Sequence, residues 1–304
     1  MVKMKFSSAS IFFYISCVFS CSFLLLSCQR LDSNLFEPDN TIAQYELDNY
    51  TGFRTFEVPG HWNVPSDKIN LLTLTSSNQG DIAKIKAIYT GDTNQIDRDT
   101  VIMYCHGNAD HMDYYWPRQK LLYNRGTFGV LNLDYRGYGL SEGTPSESGL
   151  IADVEAGLKW LKSRGLTGDR LIIYGFSLGS IPATALSIHS QNITASKLIL
   201  ESPIGSIRVM AEDGAILTMD PRFYTDLKTD NITAIKEHHK PFLWIHGVQD
   251  AFLAMQTHGR PIYDNHPDLP YKASILVPNG THDDVPMKMG FGRYVKSVTA
   301  FIRR

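Results

Sequence analysis

Short apolar runs alternate along the chain with stretches whose apolar residues recur every three or four positions. Residues 69–75 and 83–89 are β-branched runs on either side of Ser76-Ser77-Asn78-Gln79-Gly80, which predicts a hairpin at a sheet edge. Residues 100–105 are nearly all apolar, as a strand covered on both faces should be. A helical stretch is expected over 111–124, a strand over 128–134, and a helix carrying Leu150, Ile151, Val154, Leu158 and Leu161 that Gly165 stops. Strands follow at 171–174, 197–200, 241–245 and 273–277, with a closing helix over 287–301. Strand and helix in alternation predict an α/β architecture of parallel βαβ units with right-handed crossovers. The opening hairpin makes the sheet mixed.

In open α/β sheets the working residues lie just beyond the carboxyl ends of strands. His106, Ser177, Glu201, Asp250 and His282 all follow predicted strand ends. Gly175-Phe176-Ser177-Leu178-Gly179 lies between the strand at 171–174 and a small-residue helix over 180–190. Strand, Gly-x-Ser-x-Gly, helix is the context of a nucleophile elbow, a turn so sharp that the serine Oγ is exposed and both flanks must be glycine. Ser177 is therefore the candidate nucleophile and needs a base within hydrogen-bond reach. His282 is the candidate base, and Asp250 the acid that orients it; Glu201 is the rival for that place. The order Ser, Asp, His suits this elbow. Backbone N–H groups of Leu178 and Asn108 are the candidate oxyanion donors. Asp220, Asp226, Asp264, Asp283 and Asp284 read as solvated loop residues, and Asp134 with Arg136 as an internal pair.

The motifs together resemble the alpha/beta-hydrolase fold over residues 69–304, and within it the serine aminopeptidase-like and Bem46-like serine hydrolases. The likeness rests on His106-Gly107-Asn108-Ala109, Asp134-Tyr135-Arg136-Gly137-Tyr138-Gly139-Leu140-Ser141-Glu142-Gly143, the elbow with Pro182, Ile245-His246-Gly247-Val248-Gln249-Asp250, and Gly280-Thr281-His282-Asp283-Asp284. It implies a mostly parallel central sheet flanked by helices, with a short cap segment over 204–240. It implies hydrolysis of an ester, thioester or amide through an acyl-serine intermediate, esterase or thioesterase before peptidase. A catalytically silent binding module on the same fold is the remaining alternative. Substrate is not carried by these motifs, because one fold hosts many chemistries. In the cap, Met210, Ile216, Leu217, Met219, Phe223 and Tyr224 either line an acyl pocket or pack the segment on the core.

The amino-terminal region reads differently. Lys3 and Lys5 precede an apolar stretch over 11–26 that ends at Ser27-Cys28, the layout of a signal peptide. Leu25-Leu26-Ser27-Cys28 resembles the lipobox of bacterial lipoproteins, which implies a signal over 1–27 and lipid on Cys28. An uncleaved membrane anchor is the competing reading. Residues 28–49 are polar and read as a tether, and 50–304 as the hydrolase domain. Either anchor puts the domain at the cell envelope, facing the periplasm or the exterior. Of the four cysteines, Cys105 alone falls within the domain, so no internal disulfide is expected, and its apolar strand makes it a buried small hydrophobe.

Composition narrows the remaining classes. A net charge of -2 and 20% charged residues give no reason to propose a nucleic-acid partner. His106, Asp110, His111 and Asp113 match no zinc spacing, and serine chemistry needs no metal or cofactor. His106 reads as a support for its loop. Tyr114, Tyr115 and Trp116 either border the site or pack a helix on the sheet.

Overall fold

The computed structural model describes residues 35–215 and 225–304. The expected signal, Cys28, and the cap residues Ile216, Leu217, Met219, Phe223 and Tyr224 lie outside these residues. Eight strands form one sheet in the order β1-β2-β4-β3-β5-β6-β7-β8. They are β1 (Ile69–Asn78), β2 (Asp81–Thr90), β3 (Val101–Cys105), β4 (Gly129–Leu133), β5 (Leu171–Phe176), β6 (Lys197–Glu201), β7 (Phe242–Gly247) and β8 (Lys272–Val277). The β1–β2 and β2–β4 pairs are antiparallel and the rest parallel. The hairpin turn is tighter than the sequence implied. Only Gln79 and Gly80 leave the ladder, both with positive φ, as a two-residue hairpin turn requires.

Helices cover both faces, which is why the central strands read as unbroken apolar runs. Val101, Met103 and Cys105 of β3 face one layer, with Leu150, Val154 and Leu158 of α2 (Glu147–Ser163) and Ile181 and Leu186 of α3 (Ser180–His189). Ile102 and Tyr104 face the other, with Trp116 and Leu122 of α1 (Met112–Tyr123) and Val295 and Val298 near the carboxyl end. Successive strand residues thus enter opposite layers, as the strand period of two dictates.

In the cap, α4 (Ile207–Ala215) and the short α5 (Asn231–Ala234) are present, and Met210 packs against the first layer. A further helix, α6 (Gly259–Asn265), was not expected. It buries only Gly259 and Ile262, so no hydrophobic period announces it. The closing helix is two helices, α7 (Val285–Met289) and α8 (Phe291–Arg303), because Gly290 between them has φ 85°.

The expected tether differs most. From Leu35 to Asn49 it is docked on the domain. Leu35 and Phe36 enter the core, Tyr45 donates to Asp134 at 2.6 Å, and Lys120 pairs with Asp48. The Glu46 and Leu47 N–H groups donate to the Asp113 carboxylate. Tyr45 and Asp48 thus bond the domain, while Glu37, Asn40, Thr41, Gln44 and Asn49 are exposed.

Candidate active site

The elbow is built by close approach. Ser177 has φ 51°, a left-handed conformation that costs an L-residue about 1–2 kcal/mol and lifts its side chain off the sheet. A Cβ on Gly175 would lie 2.6 Å from Ala183 Cβ and 2.7 Å from the Gly179 oxygen. One on Gly179 would lie 2.0 Å from the Cys105 carbonyl oxygen, at the end of β3. Both flanks are therefore glycine for want of space.

Three strand-end loops meet over this turn. Ser177 Oγ lies 2.8 Å from His282 Nε2, and His282 Nδ1 lies 2.8 Å from Asp250 Oδ2. The other carboxylate oxygen of Asp250 accepts the Phe252 and Leu253 N–H groups at 3.0 and 2.8 Å. Burial pushes the Asp250 carboxyl up, but hydrogen bonds from His246, His282 and Leu253 outweigh it and hold the group well below the usual carboxylate range. It is thus a fixed anion that orients an imidazole. Phe176 and Phe252 contact the His282 ring, with centroids 5.4 and 4.9 Å away.

Glu201 lies elsewhere. It is fully buried, pairs with Arg118 at 2.6 Å, and accepts from Tyr174 and Tyr294. Arg118 also donates to the Asp283 carbonyl at 2.7 Å and covers the Phe176 ring at 3.9 Å. The rival acid thus belongs to a buried pair beneath the histidine loop. Nothing in the local sequence marks Arg118, because its partner is distant in the chain. A buried strand-end glutamate, which must find a cation, was the one available signal.

Asn108 lines the cleft over Ser177, and Leu178 is buried at the start of the turn into α3. The Asn108 side-chain oxygen accepts from the Glu37 N–H at 3.1 Å and from Tyr138 Oη at 2.6 Å, and its carbonyl accepts from Tyr115 Oη. Its loop is therefore held from three sides. His106 is fully buried, with Nδ1 2.8 Å from the Gly107 carbonyl and its ring against Tyr115 and Tyr135. His111 caps α1, accepting from the Asp113 N–H. Cys105 is buried, which pushes its thiol up.

Two expectations are corrected. Arg136 does not pair with Asp134; it pairs with Asp153 at 2.9 Å and Asp81 at 2.8 Å, while Asp134 accepts from Tyr45. Arg136 and Asp153 are both buried, so α2 supplies the charge that a buried guanidinium requires. Asp284 is buried, not solvated, and accepts the Thr281 N–H at 2.7 Å. Asp226 and Asp264 are exposed, Asp283 is half-buried, and Asp220 lies outside the described residues.

The cleft holds about 370 Å³ and is open to solvent. Tyr114, Tyr115, Phe176 and Phe252 form its apolar part, and Glu37, Asp110 and Asp283 bring carboxylates to it. Trp116 faces the core instead.

The fold is the alpha/beta-hydrolase fold. An esterase from Pyrococcus furiosus, Pf2001, superposes with a TM-score of 0.65 at 17% identity, covering 88% of this chain and 98% of its own. An esterase from Rhodococcus, RhEst1, gives 0.56 at 17% identity, covering 77% and 98%. Residues 97–231 match the family model described as serine aminopeptidase, S33. That span contains Asn108 and Ser177 and ends before Asp250 and His282. By sequence, the chain is 30% identical over 187 residues to the uncharacterized protein YfhR of Escherichia coli O157:H7. It is 29% identical over 205 residues to human alpha/beta hydrolase domain-containing protein 17B. The matches span 63% and 65% of these relatives' lengths, and 60% and 66% of this chain.

Proposed function

We propose that this protein is a serine hydrolase that cleaves a carboxylic ester or thioester through an acyl-Ser177 intermediate. One observation carries the reading: the unbroken Ser177–His282–Asp250 chain of hydrogen bonds, 2.8 Å at each link, beside an open cleft. His282 Nε2 takes the hydroxyl proton as Ser177 Oγ attacks the carbonyl carbon. Asp250 holds the other ring nitrogen and stabilises the imidazolium. The N–H groups of Leu178 and Asn108 receive the oxyanion, each worth on the order of 3 kcal/mol in the transition state. His282 then protonates the leaving group, and water attacking the acyl carbon repeats the cycle in reverse. The matches to esterases support the ester reading by likeness of fold.

A panel of p-nitrophenyl esters of graded chain length tests it. Ser177→Ala should lose at least about 10⁴-fold in kcat. Equal turnover by Ser177→Ala and the wild type would overturn the assignment. The cleft carboxylates Glu37, Asp110 and Asp283 favour a second reading, an aminopeptidase that holds a substrate ammonium group. Cleavage of aminoacyl anilides faster than of neutral esters would establish that reading instead.

The lipobox-like sequence supports an anchor at the cell envelope through lipid on Cys28. Cys28→Ser should abolish lipid labelling and processing, and an unchanged mature mass would refute it.

A further inference from the structure

We propose that His246 is a positioning residue for the acid Asp250, and that Trp244 holds it in a single tautomer. The inference rests on the reading of Asp250 as partner to His282. Trp244 and His246 are two apart on β7, so both point to the same face, and both are fully buried. The indole Nε1–H lies 3.0 Å from His246 Nδ1. An indole nitrogen only donates, so Nδ1 accepts and the ring proton is on Nε2. That Nε2–H faces Asp250 Oδ2 at 3.2 Å and the Leu253 carbonyl at 3.0 Å. The other tautomer would set two N–H groups against each other at Trp244. It would also aim a ring lone pair at a carboxylate and a carbonyl oxygen. Both ends of the ring therefore select the same form.

The result is a directed line, Trp244 N–H to His246 and His246 N–H to the Leu253 carbonyl, with that second N–H 3.2 Å from the Asp250 oxygen that also accepts from His282. With the Phe252 and Leu253 N–H groups on Oδ1, the carboxylate is fixed at both oxygens. Space around the pair is closed. A Cβ on Gly259 would lie 2.3 Å from Trp244 Nε1 and 2.5 Å from His246 Nδ1. That accounts for glycine at the first position of α6. The charged and titratable groups around the pair are Asp250 and, beyond it, His282. On the α6 side they are Arg260, 5.3 Å over the Trp244 ring, Tyr263 against the same ring, and His258.

Three variants test the assignment. Trp244→Phe keeps a ring and removes the donor, His246→Leu removes the N–H beside Asp250, and His246→Gln returns an N–H near Nε2. Two measurements apply to the full chain, the ring ¹⁵N shifts of His246 and the pH profile of kcat/KM on a reporter ester. The wild type should show Nδ1 bare and Nε2 protonated. In Trp244→Phe Nε2 should stay protonated, because it still faces two oxygens, while the Nδ1 shift moves downfield with the loss of its donor. His246→Leu should lose about 10- to 100-fold in kcat with KM little changed, by analogy with the removal of a partner that orients a metal-bound side chain. The acid limb of its profile should move to higher pH, because a carboxylate without that polar N–H beside it attracts the His282 imidazolium more strongly. His246→Gln should recover most of the loss.

A wild-type ring protonated on Nδ1, or an unchanged Nδ1 shift in Trp244→Phe, would overturn the proposal. So would a wild-type rate and profile in His246→Leu. Should His246→Leu fail to fold, the shifts of Trp244→Phe decide the matter. If the wild type turns over no ester, the ester reading falls, while the His246 shifts still decide the tautomer.

Discussion

At the scale of single residues, Asp250 and Glu201 separate cleanly by environment. Asp250 accepts from His282, so Asp250→Asn should lower kcat by about 10⁴-fold by favouring the wrong imidazole tautomer. Glu201→Gln leaves Arg118 buried and unneutralised, which should cost about 3–5 kcal/mol of stability. Chemical denaturation of both variants alongside their initial rates distinguishes the roles. A larger loss of kcat in folded Glu201→Gln than in Asp250→Asn would exchange the assignments. The sequence alone offered both acids because both follow strands. What divides them is which side of the histidine loop each reaches, and that depends on Arg118, on a helix early in the fold. Ser177, Asp250 and His282 were legible because each ends an apolar strand within a turn rich in small residues. The parts played by Arg118 and His246 were not, since a buried polar side chain paired across the fold leaves no periodic trace.

At the scale of elements, α1 ties the site together. Its first turn receives the lead-in at Asp113, and its middle sends Arg118 under the histidine loop. The strands and most helices were legible from their apolar periods. The docked lead-in was not, because hydrogen bonds rather than apolar spacing fix it. Burial pushes the Asp113 carboxyl up while the Glu46 and Leu47 N–H groups oppose the rise. A chain beginning at residue 50 would remove those donors and the Tyr45–Asp134 bond. Losing donors to a buried carboxylate costs about 1–3 kcal/mol or more. The melting temperature of that shortened chain should fall by several degrees, and a melting temperature equal to that of a chain beginning at residue 29 would contradict a docked lead-in.

At the scale of the whole molecule, buried histidines set the response to acid. Burial lowers His258 from 6.5 to about 4 and, with His266 beside it, lowers His238 to about 3. The unfolded chain takes up these protons near pH 6.5 and the folded chain does not. Their contribution is therefore complete above pH 6.5 and is lost as pH falls towards 4, by about 1.4 kcal/mol per pH unit for each group. Urea titrations at pH 7.5, 6 and 5 should give falling stability, and a flat series would show that these rings are protonated in the native state. Charge also sets the cleft's preference. With Glu37, Asp110 and Asp283 at the cleft, neutral esters should react faster than esters bearing a carboxylate, and added salt should narrow the gap.

The proposed hydrolysis depends above all on Ser177 acting as a nucleophile activated by His282 and Asp250. Labelling with a fluorophosphonate, followed by peptide mass mapping, tests it most directly. One adduct per chain is expected, on the peptide containing Ser177, absent from Ser177→Ala and strongly slowed in Asp250→Asn. An adduct on another residue, or none on the folded wild-type protein, would contradict it.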